Sequence, residues 1–169
     1  VMTESFEISG QIVTIHQDKD TVMSKDTLVY LHTLEGNGSE VWKQCNALSC
    51  PPFTLISITV PDWGNRLTPW ECTGLFAEDP PFEGHAEDQL STLLKIVKES
   101  EQKLCAEPRN RCIAGYSLAG LFATWAPFQT DAFNALASAS GSLWYPGFPK
   151  YVQNHDFMGA LNAAYFSLG

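Results

Sequence analysis

The chain has 169 residues, 44% of them hydrophobic and 12% aromatic, which is enough apolar material for one globular domain with its own core. Lys and Arg total 10 against 19 Asp and Glu, and the resulting net charge of −9 repels a phosphate backbone, so neither a nucleic acid nor an anionic membrane is the expected partner. The longest apolar stretches, 53–60 and 132–139, fall well short of the ~20 residues a membrane-spanning helix needs, and a soluble protein is expected.

Residues 1–11 are acidic and polar where an export signal would place positive charge and then a long apolar run. Phe6, Ile8, Ile12, Val13 and Ile15 flank Ser9-Gly10, a pattern that predicts two short strands over 6–17 joined by a tight turn at the antiparallel edge of a sheet. The runs TLVYLH at 27–32 and FTLISITV at 53–60 are β-branched and apolar without clean alternation, as expected of central parallel strands buried on both faces. Between them 39–47 predicts a short helix with Val41 and Trp42 facing inward, ending before Pro51-Pro52.

Residues 61–84 hold several Pro and Gly and few periodic hydrophobics, so they read as a long irregular connection of the kind that usually carries function. Ala86, Leu90, Leu93, Leu94, Val97 and Leu104 then form the apolar stripe of an amphipathic helix that Pro108 ends. A strand over 111–116, a nearly all-apolar helix over 118–126 and strands over 133–139 and 162–168 complete the alternation. This order predicts a single α/β domain over 1–169: a doubly wound, mostly parallel sheet with helices on both faces.

The five cysteines, Cys45, Cys50, Cys72, Cys105 and Cys112, are odd in number and contain no C-x-x-C pair. They read as reduced thiols of a cytoplasmic protein, with no metal site, and Cys112 reads as a small buried hydrophobe.

The chemistry concentrates in Gly115-Tyr116-Ser117-Leu118-Ala119-Gly120. Ser117 falls between a buried strand and a buried helix, the context a G-x-S-x-G nucleophile elbow requires, and small residues are needed two positions either side because larger ones would collide across the turn. Gly115 and Ala119 meet that need, although Ala119 stands where a second glycine is usual. The backbone N–H groups of Leu118 and, at the end of the strand over 27–32, of Leu34 are the expected oxyanion donors, Thr33 being the next candidate after Leu34. His32 is expected to pack or bond locally, and His16 and His85 to be structural or surface residues.

Three stretches resemble the esterase family of α/β-hydrolases that includes esterase D and the enterochelin-esterase-like hydrolases of siderophore esters. They are Asn65-Arg66-Leu67-Thr68-Pro69, RCIAGYSLAGLFATW around the serine, and Ser140-Gly141-Ser142-Leu143-Trp144-Tyr145. The resemblance implies an α/β-hydrolase fold and a carboxylic-ester hydrolase that works through an acyl-serine, without metal or organic cofactor, on a small-molecule ester of the siderophore kind. It also implies that Thr33, Arg66, Ser142, Trp144 and the 61–84 connection border the substrate cleft, Trp144 being alternatively a core aromatic.

In that family the chain order is Ser, then acid, then His, and the acid follows the strand that 163–168 resembles. By that likeness both groups would lie past Gly169, making the domain C-terminally incomplete and the 169-residue chain inactive or weakly active. Downstream of Ser117 the chain itself offers only His155, Asp131 and Asp156, and the adjacent His155-Asp156 side chains are poorly placed to relay to each other. Two other readings stay open: a non-catalytic hydrolase-like binding domain, and an acyltransferase or thioesterase on the same fold.

Overall fold

The computed structural model describes residues 2–18, 21–74 and 76–169. Seven strands form one sheet in the order β1-β2-β4-β3-β5-β6-β7. β1 (Met2–Ile8) and β2 (Gln11–Gln17) make the antiparallel edge, turned at Ser9-Gly10 where both residues have positive φ. The first strand starts at Met2 rather than Phe6, because the polar run Thr3-Glu4-Ser5 pairs with β2 while facing solvent. β2 runs antiparallel to β4 (Thr54–Thr59), and from there β3 (Thr27–Thr33), β5 (Asn110–Tyr116), β6 (Ala135–Ala139) and β7 (Ala163–Ser167) are parallel.

Helix placement follows from the hand of the crossovers. The connection β3 to β4 through α2 (Ser39–Ala47) steps one way across the sheet, whereas β4 to β5, β5 to β6 and β6 to β7 all step the other way. Right-handed crossovers therefore put α2 on one face and α4 (Ala86–Leu104), α5 (Leu118–Trp125) and α6 (Phe148–Asn154) on the opposite one. Burial agrees, since Leu28, Tyr30, Ile56, Ile58, Ile113 and Leu136 of the sheet share a core with Leu93, Ile96 and Phe122 of α4 and α5. Reciprocal amide bonds between Gln11 and Gln89, at 2.6 and 2.9 Å, tie the edge hairpin to α4 inside this layer. Towards the other end of α4, Arg111 grips Glu101 at 2.5 and 2.9 Å and Tyr30 donates to the same carboxylate at 3.2 Å, fastening the foot of β5 to the helix.

Several local expectations change. The connection over 61–84 is not wholly irregular: it contains α3 (Trp63–Arg66) and an antiparallel bridge between Cys72 and Phe82. A four-residue helix α1 (Thr21–Ser24) and the helix α6 are additional to the predicted elements; α6 has Pro149 in its first turn and only Phe148 buried, so its periodicity is weak in sequence. α4 stops at Cys105 in the left-handed conformation, which turns the amides of Cys105 and Ala106 back onto Gln102 and Glu101, before Pro108 is reached. Of the two readings of His16 the structural one holds: it is 2% exposed and its Nε2 lies 2.6 Å from the Asn37 carbonyl. Cys112 is only half-buried. Among the described residues no helix is long and apolar enough to cross a membrane.

Candidate active site around Ser117

The crossover that leaves β3 steps one way across the sheet and the one that leaves β5 steps the other, so β3 and β5 flank the switch point, where open α/β sheets bind ligands beyond the carboxyl ends of the strands. Ser117 follows β5 there. Its backbone has φ 57 and ψ −121, a region that side-chain-bearing residues occupy only when their surroundings hold them there. Three hydrogen bonds supply the hold: Ser117 N–H donates to Ala139 O at 3.1 Å, and Ser117 O accepts from Leu121 N–H at 3.1 Å and Ser142 N–H at 3.0 Å.

The steric expectation for the elbow is met. A Cβ on Gly115 would run into the backbone and Cβ of Ala119, so the turn closes only with no side chain at one position and a methyl at the other. Gly120 serves a different purpose, because a Cβ there would sit 2.7 Å from Ser138 Oγ and 2.8 Å from Gly141 Cα. That approach seats the start of α5 on β6, and Ser138 Oγ donates to Gly120 O across it at 3.1 Å.

Ser117 opens onto a pocket of about 390 Å³ whose walls include Leu31, Thr33, Leu34, Val41, Trp63 and Tyr116. Thr33 and Leu34 are thus brought to the serine as expected, Leu34 with its side chain 57% exposed and Thr33 Oγ1 donating to Ile58 O. Leu118 opens α5, whose first amides have no partner within the helix. Ser142 is buried with its Oγ 3.4 Å from Ser117 Oγ, the one side-chain partner of that hydroxyl among the described residues. Trp144 is not a core aromatic; it is 54% exposed. Arg66 sits half-buried in α3 and is not among the pocket's walls, which take Trp63 from the same helix instead.

Sequence reasoning missed Trp63 and Tyr116. Tyr116 is the x of G-x-S and the last residue of β5, on the sheet face that carries only α2, and it stands 65% exposed at the mouth; Trp63 was legible only as an aromatic within the 61–84 connection. The two loops bordering the mouth are strutted together: Tyr145 OH donates to Trp70 O at 2.6 Å and Trp70 Nε1 donates to Pro146 O at 2.8 Å. Burial pushes the Tyr145 phenol up to about 12.

His32 also reaches this pocket, from the end of β3, and packs edge-on against Phe122 with centroids 5.0 Å apart. Neither ring nitrogen finds a partner of hydrogen-bond geometry. Burial pulls its pKa down to about 3, partly offset by the Ala114 backbone, so the ring is neutral across the physiological range.

The candidate partners within the chain lie elsewhere. Met158 N–H bonds Pro127 O, Asn162 N–H bonds Asn134 O and Phe157 packs on Phe128, which fixes the 155–162 segment at the amino ends of the strands. His155 stacks on Tyr151 at 3.9 Å and its Nδ1 lies 2.7 Å from the Tyr151 carbonyl. Asp131 lies at the same end, against Gly159. His85 precedes α4 without a side-chain capping bond, its Nε2 3.4 Å from Glu83 Oε2. None of them bonds Ser117, and among the described residues no cluster of His, Cys, Asp and Glu could hold a metal.

This geometry defines a chain with the α/β-hydrolase fold. No protein-family profile matches the sequence, and no curated protein does. Among solved structures, siderophore hydrolase EstA from Aspergillus nidulans is 20% identical with a TM-score of 0.72, over 99% of this chain and 68% of that one. An IroE-like serine hydrolase from Shewanella oneidensis is 19% identical with a TM-score of 0.68, over 90% and 54% respectively. Siderophore hydrolase EstB from Aspergillus nidulans is 19% identical with a TM-score of 0.62, over 87% and 60%. The fold is thus shared with esterases and serine hydrolases, and the chain spans from 54% to 68% of the length of these three.

Proposed function

We propose that the chain carries the nucleophile, oxyanion donors and pocket of a serine carboxylic-ester hydrolase. The observation that carries this reading is the φ 57, ψ −121 backbone of Ser117 at the switch point of the sheet, strain that a structural serine would have no reason to keep. In this reading Ser117 Oγ attacks the ester carbonyl and the Leu118 and Leu34 N–H groups bind the oxyanion. The alcohol leaves with the proton taken from Ser117, and water then releases the acid from the acyl-serine. The chemistry calls for no metal or organic cofactor. His155, His85 and His16 are engaged away from Ser117, and His32, which lines the same pocket, is buried and neutral, so no histidine of the chain bonds the Ser117 hydroxyl.

The likeness to EstA and EstB favours a siderophore-type ester as the small-molecule substrate. Thr33 and the pocket walls contact one half of it, while Ser142, Trp144 and Arg66 border the approach. The net charge of −9 fits a cytoplasmic enzyme that engages neither nucleic acid nor anionic membrane. A second reading, a hydrolase-like binding domain without catalysis, is favoured by one observation, the pairing of the Ser117 hydroxyl with Ser142 alone. An acyltransferase or thioesterase would share the same serine chemistry and differ in the acyl acceptor or leaving group.

The deciding experiment treats the chain, extended past Gly169 in its own reading frame, with a fluorophosphonate probe and with p-nitrophenyl and siderophore-type esters. The esterase reading expects covalent labelling and turnover that both vanish in Ser117→Ala. Labelling unchanged in Ser117→Ala rejects the nucleophile, and a folded, unlabelled extended chain supports the binding domain.

A further inference from the structure

The end of α2 brings two cysteines together. Leu48 N–H still bonds Gln44 O at 3.0 Å, but Ser49 then takes φ 53, and Ser49 N–H turns back to Asn46 O at 3.1 Å and Cys50 N–H to Cys45 O at 3.0 Å. The last two bonds are the paired closures of a Schellman turn, a six-residue loop whose end residues meet through their side chains. Here those end residues are Cys45 and Cys50. The bond between their backbones holds the two Cα atoms within about 7 Å of each other, and a disulfide spans Cα separations of about 4.4–6.8 Å. The thiols face one another as side-chain hydrogen-bond partners, and burial together with that neighbour raises the pKa of Cys45. Pro51-Pro52 stiffens the exit from the turn.

The sheet face that carries α2 leaves part of the strands uncovered, and Val29, Cys112 and Ala137 are half-buried there around an apolar groove of about 400 Å³ that Cys45 and Cys50 also line. Cys45 is half-buried and Cys50 exposed, so a small reagent meets Cys50 first. Cys112 is the third thiol of the groove, but burial pushes its pKa up to about 11 and its Sγ lies 3.7 Å from the Ile113 carbonyl. Cys105, exposed at the end of α4, has its Sγ 3.7 Å from Gln102 O.

We infer that Cys45 and Cys50 are a reversible thiol–disulfide modification site, oxidised by a small-molecule disulfide of the glutathione class. The Cys50 thiolate, its proton lost to solvent, attacks one sulfur of the reagent, whose S–S bond breaks and releases a first thiolate. The Cys45 thiolate then attacks Cys50 Sγ in the mixed disulfide and expels the second. The protein pair gives up two electrons and two protons, and the reagent takes them up as two thiols. Such an exchange is the form disulfides usually take in reducing compartments, transient and reversible. The cystine fastens α2 to the residues leading into β4, one helical turn from Val41, which walls the Ser117 pocket.

The test does not depend on serine chemistry. The folded, reduced chain is incubated with oxidised glutathione, quenched with acid and followed cysteine by cysteine by peptide mass spectrometry. A cystine joining Cys45 and Cys50 should form at least about tenfold faster than glutathione adds at Cys105, and dithiothreitol should reverse it. In Cys45→Ser the reaction should stop at a glutathione adduct on Cys50. Residues five apart also meet in an unfolded chain, so the same measurement in urea separates the turn from mere proximity: closure should be slower there by about tenfold or more. Ser49→Gly, which suits the positive φ, should keep the native rate, whereas Ser49→Pro, which cannot adopt it, should fall to the rate of the unfolded chain. Equal rates in the folded and unfolded chains overturn the inference. So do a glutathione adduct that accumulates on Cys50 while Cys45 stays free, pairing of either thiol with Cys112, and modification of Cys105 alone.

Discussion

The carboxyl and amino edges of the parallel strands use similar residue types to different ends. At the carboxyl edge Ser117 is held by three backbone hydrogen bonds, Gly115 and Gly120 permit contacts that no side chain would fit, and two loops are strutted by Tyr145 and Trp70. At the amino edge His155 and Asp156 are exposed, and His155 bonds only to its own helix end. Preorganised strain on one edge and relaxed local bonding on the other separate a site from a surface, because strain persists only where several contacts hold it in place. Substitutions at the two edges should therefore differ widely in effect.

Ser117→Ala should have the largest effect, lowering ester turnover by the extended chain about a millionfold, the loss measured when a serine hydrolase is stripped of its nucleophile. Turnover within tenfold of the parent would place the chemistry elsewhere. Gly115→Val comes next, since the new side chain must displace the Ala119 backbone rather than a flexible tip. A loss of ~3 kcal/mol or more in urea unfolding is expected, at the upper end of overpacking costs. Ala137→Ser, on the uncovered face, should shift the 169-residue chain by less than ~0.5 kcal/mol. Equal losses at the two positions would contradict the tightness of the elbow.

His32 gives a pH signature. Its folded pKa is about 3 against 6.5 for the free side chain, so between those values the unfolded chain holds a proton on this ring that the folded chain does not. Stability therefore rises with pH through that window, is fully present above 6.5 and is lost towards 3, by as much as several kcal/mol at ~1.4 kcal/mol per pH unit. His32→Leu should flatten the difference between pH 6.5 and 4 while leaving carboxylate effects in place, as measured by urea midpoints at each pH. An unchanged slope would mean that the ring is solvated or paired. Tyr145→Phe is smaller, about 1 kcal/mol for the hydrogen bond to Trp70 O. It should loosen the pocket mouth without touching the core.

Sequence pattern sufficed where burial and period agree. α2 matches its expected span to the residue and α4 runs from the first to the last residue of its apolar stripe, because turn and stripe signals coincide there, although Val41 and Leu94, expected to face inward, are exposed. The elbow was legible because a strand, a serine between small residues and a buried helix occur in immediate succession. α6 was not, since one buried residue, Phe148, cannot set a period. Neither was the exchange of Trp63 for Arg66 in the pocket, because Asp62 begins α3 in the left-handed conformation and that turn decides which side of a four-residue helix faces Ser117. The inequality of the two sheet faces is a property of strand order and could not be read before the order was known.

The smallest expected effect bears most directly on the contrast between the edges. His155 is the one histidine downstream of Ser117, so by chain order it is the internal candidate for the base. Its ring is stacked on Tyr151 and its Nδ1 sits at the Tyr151 carbonyl, so the imidazole is oriented by α6, and Phe157 against Phe128 anchors the following residues at the amino ends of the strands. To reach Ser117 it would have to leave both partners and cross the length of α5. His155→Ala should therefore change stability by less than ~0.5 kcal/mol, as for an exposed residue, and leave the rate of fluorophosphonate labelling at Ser117 unaltered in the extended chain. A labelling rate reduced a hundredfold or more, with the urea midpoint unchanged, would make His155 the base and require the 155–162 segment to move to the carboxyl edge.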